Sequence, residues 1–128
     1  MIIVIIHWKI KRGGSYRDDF FRYWKRLEIE DRSEIAGEFL SEPVDESQLT
    51  YPCTTLAADD RFDSYFNVGV WSSEDAFRLN VIEPFVGKSP VKKNFEFEYR
   101  SRMILSPDWW RVGLSDLPEA DHLPPEDS

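Results

Sequence analysis

Apolar positions recur along the chain in two periods, and the switch between them lays out six elements. Residues 2–11, Ile-Ile-Val-Ile-Ile-His-Trp-Lys-Ile-Lys, are rich in β-branched side chains and alternate in their second half, as a strand does. Ile2, Val4, Ile6, Trp8 and Ile10 share one face; Ile3, Ile5, His7, Lys9 and Lys11 share the other. A strand that is apolar on both faces over its first half belongs at the centre of a sheet, covered from two sides. Gly13-Gly14 ends it. Ser15 with Asp18 has capping-box spacing, and Tyr16, Phe20, Tyr23, Trp24 and Leu27 form the stripe of an amphipathic helix predicted to reach about Ser33 or Ile35. Gly37 then marks entry to a short strand from Glu38 to Glu42, closed by Pro43.

Tyr65 to Trp71 reads as another strand. Ser72 with Asp75 is predicted to cap a second helix, with Ala76, Leu79, Ile82 or Glu83, and Val86 facing inward and Pro84 kinking or ending it. Lys88-Ser89-Pro90 breaks the pattern. The last strand, Phe95 to Ile104, alternates strictly. Phe95, Phe97, Tyr99, Ser101 and Met103 oppose Glu96, Glu98, Arg100, Arg102 and Ile104, and the charged face is expected to meet solvent or a partner. Residues 43–63 are acidic, carry two prolines and have no sustained period, so they read as a long loop insertion. The domain is expected over residues 1–105. Residues 106–128 are expected to form a C-terminal extension in which Trp109, Trp110 and Val112 dock on the domain or on the other subunit and an acidic tail frays from about residue 116.

Strand, helix, strand, strand, helix, strand specifies an α+β, ferredoxin-like fold: a four-stranded antiparallel sheet with two helices on one face. The other face is left bare. Because the first strand is apolar on both sides, that bare face is an apolar patch, and the economical cover is a second copy of the chain packed sheet to sheet. A homodimer is therefore expected.

Composition narrows the function classes. Hydrophobic residues make up 41% and aromatic residues 15%, which suits a packed domain rather than a disordered chain. A net charge of −8 repels phosphate backbones and anionic lipid, so neither nucleic acid nor a membrane surface is an expected partner. A single cysteine, Cys53, fits a reducing compartment, and no run is long enough to span a bilayer or built as a signal peptide, so a cytoplasmic chain is expected. No metal-ligand spacing and no phosphate-cradling glycine motif occurs, and no cofactor is expected.

Strand 1 ending in Gly13, the aromatic helix Phe20-Phe21-Arg22-Tyr23-Trp24 and above all Val68-Gly-Val-Trp71-Ser-Ser-Glu-Asp-Ala76-Phe77 resemble the dimeric α/β-barrel superfamily, in particular its antibiotic-biosynthesis-monooxygenase-like branch. The resemblance runs over about residues 2–104; the long loop and the extension depart from it. It implies a small-molecule pocket between sheet and helices. Cofactor-free oxygenases of the group oxidise polyaromatic phenols, whereas a haem-degrading branch uses an Asn on strand 1 with a Trp and a His on helix 2. Those positions fall here at His7, about Asn80 and near Pro90, so the haem set is missing.

The expected activity is a cofactor-independent monooxygenase, or related small-molecule enzyme, acting on an apolar or aromatic substrate. The alternative is a non-catalytic dimer that binds a ligand or a protein. His7 is the candidate base, since an imidazole titrates near neutral pH, and equally reads as a half-buried structural histidine. His122 is the only other histidine. Asn67, set in an apolar strand, and Asn80 are candidate positioning groups; Trp24 and Trp71 are candidate walls, or core filler. Strands 1 and 3, taken as parallel neighbours, would bring His7 near Gly69 and Trp71. Arg100 and Arg102 can hold an anionic group, although with Glu96 and Glu98 nearby a charge ladder is the preferred reading.

Overall fold

The computed structural model describes residues 1–29, 31–56, 59–87 and 91–113. The expectations for Lys88-Ser89-Pro90, the acidic tail and His122 lie outside the described residues. Trp109, Trp110 and Val112 do not dock on the domain as expected: all three are exposed, Trp109 at 94%. Strand β1 (Ile2–Ile10) occupies the middle of the sheet, between β3 (Asp63–Trp71) and β4 (Glu96–Leu105), with β2 (Ile35–Ser41) at the far edge beside β3. Every pairing is antiparallel, and β1 and β3 match Ile2 to Trp71 through Ile10 to Asp63. The expected parallel arrangement of strands 1 and 3 is thus corrected. The crossover through helix α1 (Tyr16–Arg26) returns β2 parallel to β1, and the long β2-to-β3 connection then runs β3 against both. His7 consequently lies opposite Phe66 rather than beside Gly69 or Trp71.

The even residues of β1, from Ile2 to Ile10, are all buried against the helices, while Ile3, Ile5, His7 and Lys9 are only partly covered. Phe20 of α1 is fully buried at the centre, 4.9 Å from Trp8, 5.3 Å from Tyr65 and 5.6 Å from Phe95 between ring centroids. Such aromatic burial is the largest single contribution per residue to a core of this size. The opposite face presents Ile5, Phe66, Val68 and Val70 beside the exposed Phe39, Met103 and Leu105. Phe62 covers only the His7 end of it, at 6.0 Å from the imidazole.

Several local expectations shift. Helix α1 stops at Arg26 rather than near Ser33, because Leu27 takes extended backbone and leads Leu27 and Ile29 away from the helix axis. Ser15 forms no capping box; its hydroxyl donates to Asp19 Oδ2 at 3.0 Å. Ser73, not Ser72, caps helix α2 (Glu74–Phe77) by accepting from the Ala76 amide. From Arg78 to Val86 the helix widens to a π-helix, closed where Gly87 N–H reaches Ile82 C=O at 2.8 Å. Bonded groups here are five residues apart, and Val81 and Ile82 pack against the core that Ala76 and Phe77 belong to. Leu79, expected inside at a helical step, is 56% exposed. Pro84 is accommodated within this wider turn rather than ending it.

Strand β4 reverses the expectation for its charged face. Register with β1 sets Ile104 opposite Val4, Arg102 opposite Ile6 and Glu96 opposite Ile10, so this face turns to the helix side and Glu96 and Arg100 are buried there, joined at 2.6 Å. Glu96 also accepts from the Arg100 and Lys93 amides, and the Arg100 guanidinium lies 4.1 Å over the Trp8 ring. A buried pair of this kind is costly to break on one side only, because the survivor stays charged and unpaired. Glu96→Gln should destabilise the fold by about 3–5 kcal/mol in denaturant unfolding, with Glu96→Leu/Arg100→Met together costing less. A double variant as unstable as the single one would show that the pair is not the source of the loss.

Candidate functional site

Between the sheet, α1 and the π-helix lies a cavity of about 290 Å³, near the lower end of small-molecule pockets. Its floor is Ile6, Trp8 and Asn67, its helical wall is Tyr23 and Trp24, and Val81, Phe85 and Val86 close the π-helix side. Leu27 and Ile29, released by the early end of α1, complete the rim.

A hydrogen-bonded chain crosses this cavity. Trp24 Nε1–H donates to Asn67 Oδ1 at 3.1 Å, and Asn67 Nδ2 donates to Glu38 Oε1 at 2.8 Å. The orientation of the amide follows from its neighbours: an indole nitrogen can only donate, so it must face the amide oxygen and leaves the NH₂ for the carboxylate. Asn67 is buried, and both ends of its amide are thereby satisfied. Burial holds the Glu38 carboxyl above its ordinary value, and the Asn67 hydrogen bond recovers only part of that shift. Among the described residues, the second Glu38 oxygen has no partner, and the side chain lines the cavity. Opposite Glu38 in the ladder is Gly69, where a Cβ would sit 3.1 Å from Trp71 Nε1. A glycine in a strand interior is a mark of close approach, and here it leaves room over β3.

Of the five residues singled out in the sequence, the fold brings two together at the cavity, Trp24 and Asn67. Trp71 is buried outside it, edge-on to Phe77 at 5.7 Å. Asn80 ties the π-helix to the turn before β2, donating to Ala76 C=O at 2.8 Å and accepting from the Asp31 amide at 3.0 Å. His7 lies on the opposite face of the sheet, stacked on Phe66 at 4.6 Å and hydrogen-bonded to Ser64 Oγ at 2.8 Å. Adjacent residues of a strand point to opposite faces, so Ile6 and Trp8, not His7, reach the cavity. Glu38 was missed: one carboxylate in a short edge strand has the look of a solvated residue. The available signal was Gly69, together with an Asn that needed partners for its amide.

No protein-family model matches the chain, and no curated protein matches it. Among solved structures it is similar to a point mutant of MhuD, crystallised with two manganese protoporphyrin IX molecules bound per active site. The identity is 17%, the TM-score 0.51, and the match covers 87% of this chain and 99% of that one. The likeness is one of fold: the chain is α+β and ferredoxin-like, a four-stranded antiparallel sheet with two helices on one face.

Burial, and then the nearby Lys9 charge, hold the His7 imidazole below its ordinary value of 6.5. The folded state therefore binds fewer protons than the unfolded one between the lowered value and 6.5. Stability contributed by neutral His7 is lost as pH falls through that window. Wild type should lose more stability than His7→Phe between about pH 7.5 and about pH 5 in paired denaturant titrations. Parallel losses would show that His7 is not desolvated in the fold.

Proposed function

We propose that the chain is a small-molecule enzyme whose sheet–helix cavity takes a flat, mostly apolar aromatic substrate and removes a proton from it, with Glu38 as the base. The observation that carries this reading is the Trp24–Asn67–Glu38 chain: a carboxylate with a raised proton affinity, held by an amide and aimed into an apolar cavity. A base works best when its pKa lies closer to the working pH than a solvated carboxylate does. Trp24 supplies a flat wall, and Ile6, Val81 and Phe85 keep the site dry. Trp71 and Asn80 support this site from behind rather than touching its contents, and His7 is assigned a structural role at the bare sheet face.

The chemistry that the fold resemblance favours is a cofactor-independent oxygenation. Glu38 takes one proton from an activated CH₂ group, and the carbanion passes its electrons to dioxygen drawn from solvent. A C–O bond forms, and the peroxide anion takes that proton back from Glu38 to give a hydroperoxide. Glu38 then removes the second hydrogen as a proton; the C–H electron pair forms the carbonyl as O–O breaks, and the proton passes to the departing hydroxide to give water. The protein's part is deprotonation, orientation and exclusion of water. The porphyrin bound by MhuD does not suit this cavity: its volume is about 290 Å³, and no histidine, cysteine or methionine is among its lining residues. No step is routed through haem.

The bare sheet face supports a second element of the proposal, a homodimer. An apolar stretch including Phe39, Val68, Val70 and Met103 has the character of a protein interface, and a two-fold pairing would cover the same stretch on both copies. Light scattering should give twice the chain mass. A monomer at every concentration tested would exclude the dimer while leaving the cavity untouched.

Glu38→Gln should reduce turnover of an aromatic substrate at least ~10²-fold, the lower bound for losing a general base. Melting temperature should hold or rise, since the variant no longer buries an ionisable carboxyl. The acidic limb of the kcat/KM profile should lie above the ordinary carboxylate value of 4.5, because activity needs Glu38 deprotonated and is lost as pH falls through its raised pKa. Full activity in Glu38→Gln would remove Glu38 as the base.

A further inference from the structure

The cavity is positive although the chain is strongly acidic. The whole sequence carries 24 Asp and Glu against 16 Lys and Arg. Yet the charged residues lining the cavity are Lys25, Arg32, Arg100 and Arg102, with Glu38 as the only carboxylate. Arg100 is already neutralised by Glu96 and does not count. The other three form no ion pair among the described residues; Lys11, Arg26 and Arg111 form none either but do not line the cavity, whereas Arg12, Arg17, Arg22, Arg61 and Arg78 each lie within 4 Å of a carboxylate. In a chain with half as many acids again as bases, three cations converging on one cavity without partners is the reverse of what its average charge produces.

Two buried donors at the same wall also lack acceptors: Arg102 Nε and Trp8 Nε1. Apart from a long 3.5 Å contact with the Tyr99 hydroxyl, the Arg102 guanidinium has no acceptor among the described residues. Buried donors in native proteins are ordinarily satisfied, so an unmet pair beside a cavity points to an acceptor brought by a ligand. A guanidinium offers parallel N–H groups in a fork, which matches the two oxygens of a carboxylate.

The sheet register sets the ligand's length. Ile6 is paired with Asn67 on one side and with Arg102 on the other. Directly opposed residues point to the same face, so Asn67, Ile6 and Arg102 form one row across the cavity floor. Two strand spacings separate the ends of that row by about 10 Å. This span suits a two-ring aromatic lying over Ile6.

From this row we infer that the cavity's ligand is an aromatic carboxylate, its carboxylate held by Arg102 with Lys25 and Arg32 at the rim, and its far ring edge presented to Asn67 and Glu38. The inference rests on the proposed aromatic pocket and adds the charge and polarity of what enters it. It also separates the two acidic groups: the ligand's anion lies at one end of the row and Glu38 at the other, so the base does not compete for the cations.

The test is calorimetric titration of the full chain with 2-naphthoate and with 2-naphthamide, which share shape but differ in charge. The carboxylate should bind at least ten-fold more tightly. In Arg102→Gln that preference should shrink to about two-fold or less, with amide binding unchanged, since one fork-shaped contact to an anion carries the discrimination. Lys25→Gln/Arg32→Gln, at exposed rim positions, serves as a second variant should Arg102→Gln fail to fold, and should cut the carboxylate preference several-fold. Equal binding of the two probes by wild type would overturn the anion inference and leave the aromatic pocket standing. Binding of neither probe would overturn both readings.

Discussion

Everything in this molecule depends on β1 having a hydrogen-bonded neighbour on each side but helices on only one face. The two-residue period of a strand then sorts its side chains without exception. Ile2, Val4, Ile6, Trp8 and Ile10 go under the helices, and Ile3, Ile5 and His7 go to the bare side. The same sorting, carried across the ladder, places Asn67 and Arg102 in register with Ile6. The cavity exists because α1 ends early and the π-helix swings wide, leaving the sheet uncovered between Phe20 and the β2 edge. Its chemistry comes from whichever residues that register delivers to the gap.

Two polar arrangements on the helix side show how buried polarity is tolerated. Glu96 and Arg100 neutralise each other and are capped by backbone amides and the Trp8 ring, so this pair is closed and structural. Trp24, Asn67 and Glu38 form an open chain, satisfied inward and unsatisfied at the cavity. A fold gains nothing in stability from an open chain, whose terminal carboxyl is held by burial at a raised pKa. Its place beside an apolar cavity is what the proposed role of Glu38 as a base rests on.

Much of the fold was legible because long alternating or helical runs leave little choice: β1, β3 and the aromatic stripe of α1 are where their periods put them. Trp24 and Asn67 were legible as pocket residues for the same reason, one on the inner stripe of a helix and one a polar intruder in an apolar strand. Other features were not. Alternation separates two faces without saying which meets the helices, and register with β1 turned the charged face of β4 inward. A π-helix breaks the 3.6-residue count, and so Leu79 turned outward. His7 drew notice as the one histidine in an apolar strand, but one residue of register decides between two faces. Glu38 belongs to a site only through contacts 29 residues away, and no local pattern announces them.

The central claim is that the helix-side cavity, and not the His7 face, receives the ligand. Intermolecular nuclear Overhauser effects between bound 2-naphthoate and isotope-labelled protein address it directly. The account predicts contacts from the naphthyl protons to the Ile6 methyls and the Trp24 indole. Contacts to Ile5, His7 or Phe66 instead would contradict it.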